Sequence, residues 1–402
     1  MRSKLLKNCT ICDKDGKYEA DVRVCEERIE KIASSITPTN NDEVIECADL
    51  LLMPSFFDLN TRVKDSLLTH KNLLSLAENA QKAGVYDITL IPECSPQIKS
   101  EATIEFVRST SSGKLHINPS ILSIKNDFSI SDISILSKHN CNTIYLESHK
   151  AGNLLRRIFE YANMWNSLIL CRCDDLSISE NGVMNEGYLS SKLGLPGISS
   201  IYETKEVAKL IEFAYSIKAR MLFSALSSPR SLEIIKRAKK NDSLDIYSEV
   251  SIHHLALSED ACEDYNTYAK IMPPLQSSST KDALLQALKD ESIDVLTSLH
   301  SPKSINKKDM AFEEALYGID SIGYFFSLCY TYLVKEGHIS LEKLSSLISY
   351  NPASIVGAEG RGVIKEGVVD GFVLVDLDES FVVFDKSSPY YKKELFGKVY
   401  EV

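Results

Sequence analysis

Eight short apolar runs, separated from one another by stretches of helical periodicity, limit what this 402-residue chain can fold into more than any other feature. The runs are Leu51 to Phe57, Tyr86 to Ile91, Leu115 to Ile117, Thr143 to Leu146, Leu168 to Cys171, Arg220 to Phe223, Leu244 to Val250 and Ile293 to Thr297. Between them lie segments such as His70 to Ala83, Leu154 to Trp165, Glu203 to Ile217 and Ser231 to Lys239, whose apolar residues recur at three and four. Strand and helix alternating eight times is the pattern of a closed parallel barrel, because an open sheet usually needs fewer repeats. The expected fold class is therefore α/β, a (β/α)8 TIM-type barrel.

Outside that span the pattern is β. Leu5 to Cys12, Ala20 to Cys25, Ile29 to Ile32 and Val44 to Cys47 read as short strands, with a DKDG turn after Cys12. After a helix at 341 to 356, strands return at Phe372 to Val375 and Phe381 to Phe384. The expectation is a small composite β-sandwich domain formed by residues 1–50 and 358–402, with the barrel at 51–357.

Acidic residues outnumber basic ones, 56 to 45, for a formal net charge of −11, and no Lys/Arg-rich run interrupts the chain. Nucleic acid and anionic membranes are thereby set aside as partners. The first residues turn polar before a signal-like apolar region develops, and the most apolar stretch, Ile322 to Val334, is broken by Ser327, Cys329 and Thr331. A cytoplasmic protein is expected, and its ten cysteines read as reduced thiols. Cys9 and Cys12 form a lone CxxC without a second pair or a nearby His, which fits a hairpin strand better than a zinc or redox site. Cys171 and Cys173 would share one face of a strand.

In a barrel of this type the active site lies at the carboxyl ends of the strands. The residues that close the strand candidates are Asp58 to Arg62, Pro92-Glu93, Glu147 to Lys150, Arg172 to Asp175, Ser224-Ala225, His253-His254 and Ser298 to His300. A hydrolytic metal centre needs several His and carboxylate ligands converging on one ion. Only His253, His254 and His300 sit clearly at strand ends, and no GxSxG, HExxH or P-loop occurs. From these residues alone the chain reads as an enzyme-type barrel whose catalytic constellation cannot be assembled from the usual parts.

Longer blocks carry a resemblance. Leu51-Leu-Met-Pro-Ser-Phe-Phe-Asp-Leu59, Thr69-His70-Lys71, Gly182-Val-Met-Asn-Glu-Gly187, Leu193-Gly-Leu-Pro-Gly-Ile198, Met272-Pro-Pro-Leu275, Phe312-Glu-Glu-Ala315, Tyr350-Asn-Pro-Ala353 and Gly367 to Asp376 follow in order. With these blocks the chain resembles dihydroorotase of the amidohydrolase superfamily from about residue 3 to its last strands. The resemblance implies the barrel, the composite β domain and a homo-oligomer.

It also implies a zinc site, and there the sequence departs. Where the family has DLHxHxR, with two ligand His and a substrate-binding Arg, this chain has Asp58-Leu59-Asn60-Thr61-Arg62-Val63-Lys64. The family's His-Cys-Glu-Asp after strand five is Arg172-Cys173-Asp174-Asp175, and its ligand His after strand six falls on Ala225. The family's Thr-Asp-His-Ala-Pro-His, whose Asp is ligand and proton shuttle, is Ser298-Leu299-His300-Ser301-Pro302-Lys303. The Met-Pro-Asn after strand two is Ile91-Pro92-Glu93, and the Asn before Pro-Pro-Leu is Met272. His253-His254-Leu255, His300 and Pro302 remain, and the bridging carboxylate maps only loosely to Glu147 to Lys150.

The expectation is therefore a site without metal or other cofactor, with no catalytic residue and with degenerate positions at Asn60, Arg62, Arg172, Ala225 and Leu299. The leading function is a catalytically inactive dihydroorotase homologue with a structural or assembly role in pyrimidine biosynthesis, and the family points to aspartate transcarbamoylase as partner. One alternative is an active cyclic-amide hydrolase with a rearranged site, using His253, His254, His300 and an acid such as Asp174 or Glu93. Another is a metal-free sensor in which Arg62, Arg172 and Lys303 bind an anion. Candidate ligand-binding residues are Arg62, Lys64, Glu93, Arg172, His254, His300 and Lys303. The arginines either hold a ligand or pair with Asp58, Glu93, Asp174 or Asp175 to fill the cavity.

Overall fold

The computed structural model describes residues 3–111, 114–125, 128–139, 141–150 and 152–402. Its centre is a succession of parallel strands in chain order. Phe56–Thr61, Val85–Leu90 and His116–Pro119 form one sheet; Ile121–Leu122, Thr143–Glu147, Leu168–Arg172, Arg220–Ser224, Ile246–Ser251 and Val295–Thr297 form another. Only Ser120 separates the third strand of the first sheet from the first of the second, and its N–H donates to Leu90 O at 3.0 Å. At the far side Val295–Thr297 comes round to Phe56–Thr61: Ser298 N–H donates to Asp58 Oδ2 at 3.1 Å, and Arg62 N–H to His300 O at 2.8 Å.

Side-chain alternation orders the interior. Leu168 and Leu170 pack inward with Leu59, Ile91, Leu122, Tyr145, Leu222 and Val295, while Ile169 and Cys171 pack outward against the helices. A period of two carries Arg172 inward at the carboxyl end of its strand, and Ser224 likewise after Leu222. The helices bury one stripe each. In His70–Lys82 that stripe is Leu73, Leu76, Ala77 and Ala80, and the Thr69 side chain caps the helix by accepting from Asn72 N.

The terminal segments share a seven-stranded sheet. Glu394–Tyr400, Phe372–Val382, Leu51–Pro54, Ser3–Asp13, Gly16–Cys25 and Arg28–Ala33 follow in that order, and Asp42–Glu46 pairs alongside Ser3–Lys7. The run expected as one strand from Leu51 to Phe57 is thus two strands in different sheets. Pro54 has no N–H to extend a ladder, and the next residue, Ser55, donates to Gly371 O at 2.9 Å as the chain leaves the terminal sheet. Phe381 belongs to the strand that begins at Phe372, and Glu394–Tyr400 was not expected from the sequence. Residues 341–356 are helical in three consecutive pieces, with a π segment at Ser346–Tyr350 just before Pro352.

The cysteines are free thiols. Cys9 pairs with Ala20 and Cys12 with Lys17 in the first hairpin, and the two thiols are buried in different cores, so the CxxC does not converge on one point. Cys171 and Cys173 lie in one apolar cluster. Among the described residues no helix is long and apolar enough to cross a membrane.

The segment after Leu168–Arg172 makes an excursion in which Met184–Asn185 pairs in parallel with Gly197–Ile198. A Cβ on Gly182 would stand 2.4 Å from Ile198 Cγ1 and 2.8 Å from Gly197 O, and one on Gly197 would stand 2.6 Å from Glu186 Cα. Both glycines are required by close backbone approach. This excursion packs Val183, Met184, Leu189 and Leu195 with Ile271, Leu275, Phe312 and Ile319 into an apolar cover over the strand ends, and Ala225 and Leu299 join it from below.

Candidate functional site

Beneath that cover a cavity of about 220 Å³ opens at the carboxyl ends of the parallel strands. Asn60, Arg62, Glu93, Arg172, Ala225, Leu299 and Lys303 all line it, with Met272 and Asp174. Seven of the sequence-expected positions therefore meet in one pocket.

A chain of alternating charge crosses the floor. Arg62 Nη2 and Nε donate to Glu93 Oε2 at 3.0 and 3.3 Å, and Arg62 Nη1 donates to Asn60 Oδ1 at 2.7 Å. Arg172 Nη1 donates to Glu93 Oε1, and Arg172 Nη2 lies 2.8 Å from Asp174 Oδ2. Burial alone would raise the Glu93 pKa, but Arg172 and Arg62 outweigh it and hold the carboxyl at about 2. Arg62 is likewise kept above its ordinary value: burial, which opposes its charge, is outweighed by Glu93. Of the other acids considered from sequence, Asp58 faces Ser298 instead, and Asp175 caps helix Leu176–Ser179 through Ser177 N at 2.9 Å while pairing with Lys205.

Lys303 is different. It lines the same pocket, and no hydrogen bond or ion pair to its ammonium is made among the described residues. Burial, followed by the Arg62 charge, draws it down to about 8.

Three expected ligand-binding residues are not in the pocket. Lys64 opens a short turn, and its carbonyl accepts from Leu67 N at 3.0 Å and Asn72 Nδ2 at 3.1 Å. His254 Nε2 donates to Pro273 O at 3.1 Å, which leaves Nδ1 to accept from Ser251 Oγ at 2.8 Å. His300 Nδ1 accepts from the N–H groups of Ser321 and Ile322, both at 3.2 Å. Burial holds His254 and His300 at about 4 and His253, bonded to Tyr390 OH at 2.8 Å, at about 3. These imidazoles are neutral and engaged in backbone and hydroxyl bonds. Glu147 pairs with Lys150 at 3.4 Å outside the pocket.

Two buried carboxyls that no motif marks for the site hold the strand ends in place. Glu249 Oε1 accepts from Asn60 Nδ2 at 2.7 Å, Ala225 N at 3.1 Å and Thr297 Oγ1 at 3.1 Å, joining four strand ends at one oxygen. Burial pushes its carboxyl up to about 7. Glu203, on helix Ile201–Ile217, accepts from Ser227 N, Ser227 Oγ and Ser228 N at 2.9, 2.7 and 3.1 Å. The signal for Glu249 was its place in an otherwise non-ionic strand, Ile246 to Ser251, where a carboxyl needs partners. Tyr145, Tyr202 and Tyr317, also unanticipated, give the pocket aromatic walls.

Ala225 and Leu299 adopt left-handed backbone conformations, with φ of 52° and 48°. Neither residue type favours that region, which costs about 1–2 kcal/mol for an L side chain. Among the described residues no three His, Cys, Asp or Glu side chains stand together as a ligand set for a metal ion.

No protein-family model matches the chain. It is 30% identical to a protein of Ruminiclostridium cellulolyticum named dihydroorotase, covering 98% of this chain and 95% of that one. It is also 30% identical to a probable dihydroorotase-like protein of Helicobacter pylori, over 98% of this chain and 94% of the other. Among solved structures it matches L-hydantoinase (dihydropyrimidinase) of Arthrobacter aurescens with a TM-score of 0.85 at 19% identity, covering 99% and 94% of the two chains. Dihydropyrimidinase of Brevibacillus agri gives a TM-score of 0.84 at 17% identity, again over 99% and 94%. These structures share the α/β fold with its terminal β domain.

Proposed function

This chain belongs to the dihydroorotase family, and from that premise we propose that it is a member that does not hydrolyse cyclic amides, a catalytically inactive homologue with an assembly role in pyrimidine biosynthesis and aspartate transcarbamoylase as partner. The domain division that goes with this reading is a closed (β/α)8 barrel carrying a small β domain made of the terminal segments together with Leu51–Pro54.

The observation that carries the reading is the alternating chain Arg62, Glu93, Arg172, Asp174 on the pocket floor. Hydrolysis of a cyclic amide in this family relies on a metal-activated hydroxide, and a metal requires ligands with lone pairs. At the positions that correspond to the family's ligands stand Asn60, Arg62, Arg172, Ala225 and Leu299. A guanidinium has no lone pair to offer and stays charged, so a dication entering here would meet two fixed positive groups whose carboxylates are already engaged. The residues present do not fit zinc. The left-handed backbone at Ala225 and Leu299 supports descent from a working site, because strain of this kind is usually kept where side chains must be aimed, and here an Ala and a Leu occupy it.

Untagged protein purified with zinc available is expected to hold well below one metal ion per chain and to show no turnover of dihydroorotate or carbamoyl aspartate, beside an authentic dihydroorotase handled identically. Affinity purification at native expression is expected to recover aspartate transcarbamoylase, and sedimentation to show self-association. One or two tightly held ions with turnover would establish the rearranged hydrolase instead, and absence of the transcarbamoylase would remove the assembly role.

Lys303 favours a second reading of the same pocket, a site that binds a small acid without converting it. An unpaired ammonium facing a cavity with three tyrosines and Leu299 in its walls suits a compact anion with a flat apolar body. Dihydroorotate is then expected to raise the melting temperature of the wild-type protein, and Lys303→Ala to abolish the shift. An equal shift in both proteins would rule Lys303 out as the anchor.

A further inference from the structure

Two loops of the cover over the pocket, residues 257–275 and 301–320, contribute Ile271, Met272 and Pro273 from one side and Ser301, Lys303, Tyr317 and Gly318 from the other. Each loop contains a lysine buried to 2–3% exposure, Lys270 and Lys308. Lysine is almost never buried so deeply without compensation, because an ammonium brings three donors and a charge out of water.

The compensation comes from backbone carbonyls, and it crosses between the loops mainly through Lys270. Lys270 Nζ donates to Phe312 O, Glu313 O and Ala315 O at 2.6, 3.1 and 2.8 Å, all on the opposite loop. Lys308 Nζ donates to Lys270 O across the loops at 3.1 Å and to Leu316 O and Gly318 O of its own loop at 3.0 Å each. Every donor of both ammoniums is thereby satisfied by backbone carbonyls. The Tyr317 ring adds a cation–π contact, its centroid 4.5 Å from Lys270 Nζ. Gly318 N–H also donates to Lys270 O at 2.9 Å, and Thr267 Oγ1 to Lys308 O. The 301–320 loop is fixed at its base as well: Ser301 N–H donates to Ile319 O at 2.9 Å and Ser304 N–H to Asp65 Oδ1 at 2.8 Å.

We infer that Lys270 and Lys308 form a latch that joins the two loops into one shut, rigid cover, so that the pocket is roofed by a fixed structure rather than by a lid that opens and closes. Two loops built on short helical turns, Glu259–Tyr265 and Thr267–Ala269 in one and Ile305–Lys308 in the other, would ordinarily be among the first parts of a domain to open. Here opening either one strands an ammonium or three carbonyls of its partner, so the two must open together.

The test is hydrogen exchange read by mass spectrometry on the full chain at pH 6. Burial draws Lys308 down to about 7 and Lys270 to about 8, so at pH 6 both carry their three donors. In the wild-type protein, peptides from 257–275 and 301–320 are expected to exchange at least tenfold more slowly than the exposed surface turn at 240–243. Lys308→Met is expected to speed exchange at least tenfold in both loops while leaving the parallel strands unchanged, and Lys303→Met, which removes a cation outside the latch, to leave both loops as in wild type. Exchange in the wild-type loops as fast as in the surface turn would overturn the inference without any variant, and so covers the case in which Lys308→Met does not fold. Loosening of 301–320 alone, with 257–275 still protected, would overturn the joint cover.

Discussion

Replacing Arg172 with methionine is expected to destabilise the protein by about 3 kcal/mol, read as a fall in the urea midpoint at unchanged slope. Arg172 is the central cation of the pocket floor, held between Glu93 and Asp174. Removing it leaves two carboxylates facing one another across a partly enclosed space, with Arg62 left as the cation paired to Glu93. Truncating one partner of a buried ion pair costs about 3–5 kcal/mol. The low end applies because 31% of the Arg172 side chain and 24% of that of Glu93 are open to the pocket, where water screens part of the loss. Adding Glu93→Gln to Arg172→Met is expected to restore more than half of the loss, since it removes the stranded charge. A single-variant loss below about 0.5 kcal/mol would mean that pocket water already does the work assigned here to Arg172.

The second large effect concerns pH. Between pH 4.5 and pH 7, the stability of the wild-type protein relative to Glu249→Gln is expected to fall by about 3 kcal/mol. The sign follows from the direction of the shift. Burial raises the Glu249 carboxyl from 4.5 to about 7 in the fold, so the neutral form is the one the interior accepts. Its contribution is complete below the unfolded value and is lost as pH rises through the folded one. The comparison must be made between the two proteins. His253, His254 and His300, held neutral at about 3 to 4, act oppositely: their contribution is complete above about 6.5 and is lost as pH falls. The difference cancels them and isolates Glu249. A constant difference across the window would show that Glu249 is ionised at its junction of four strand ends.

The alternation of apolar runs made the parallel strands legible, because a period of two within strands and of three to four between them is imposed by burial itself. Pairing partners were not legible. Leu51 to Phe57 reads as one apolar run, and nothing in its composition marks Ser55 as the point where the chain passes between sheets. The strand Glu394–Tyr400 is not legible because its neighbours Lys392 and Lys393 and the single Gly397 dilute its pattern. At the site, the resemblance located Asn60, Arg62, Arg172, Ala225 and Leu299, and side-chain alternation explains why Arg172 enters the pocket. Lys64, His254 and His300 lie outside the pocket lining for a common reason: sequence position gives the strand end, not the direction in which a turn aims the side chain after it. The three pocket tyrosines come from elements far apart in sequence, and only folding gathers them.

The mixed parentage of the terminal sheet has a consequence for synthesis. Leu51–Pro54 pairs on one side with Ser3–Asp13 and on the other with Phe372–Val382, more than 300 residues downstream. At ordinary elongation rates the ribosome needs on the order of tens of seconds to deliver the second partner. Throughout that interval one edge of an apolar strand waits with unpaired backbone groups, the kind of edge on which nascent chains aggregate. The sheet is thus among the first parts of the protein to begin forming and among the last to be finished, and a chain released before residue 372 would carry that open edge permanently.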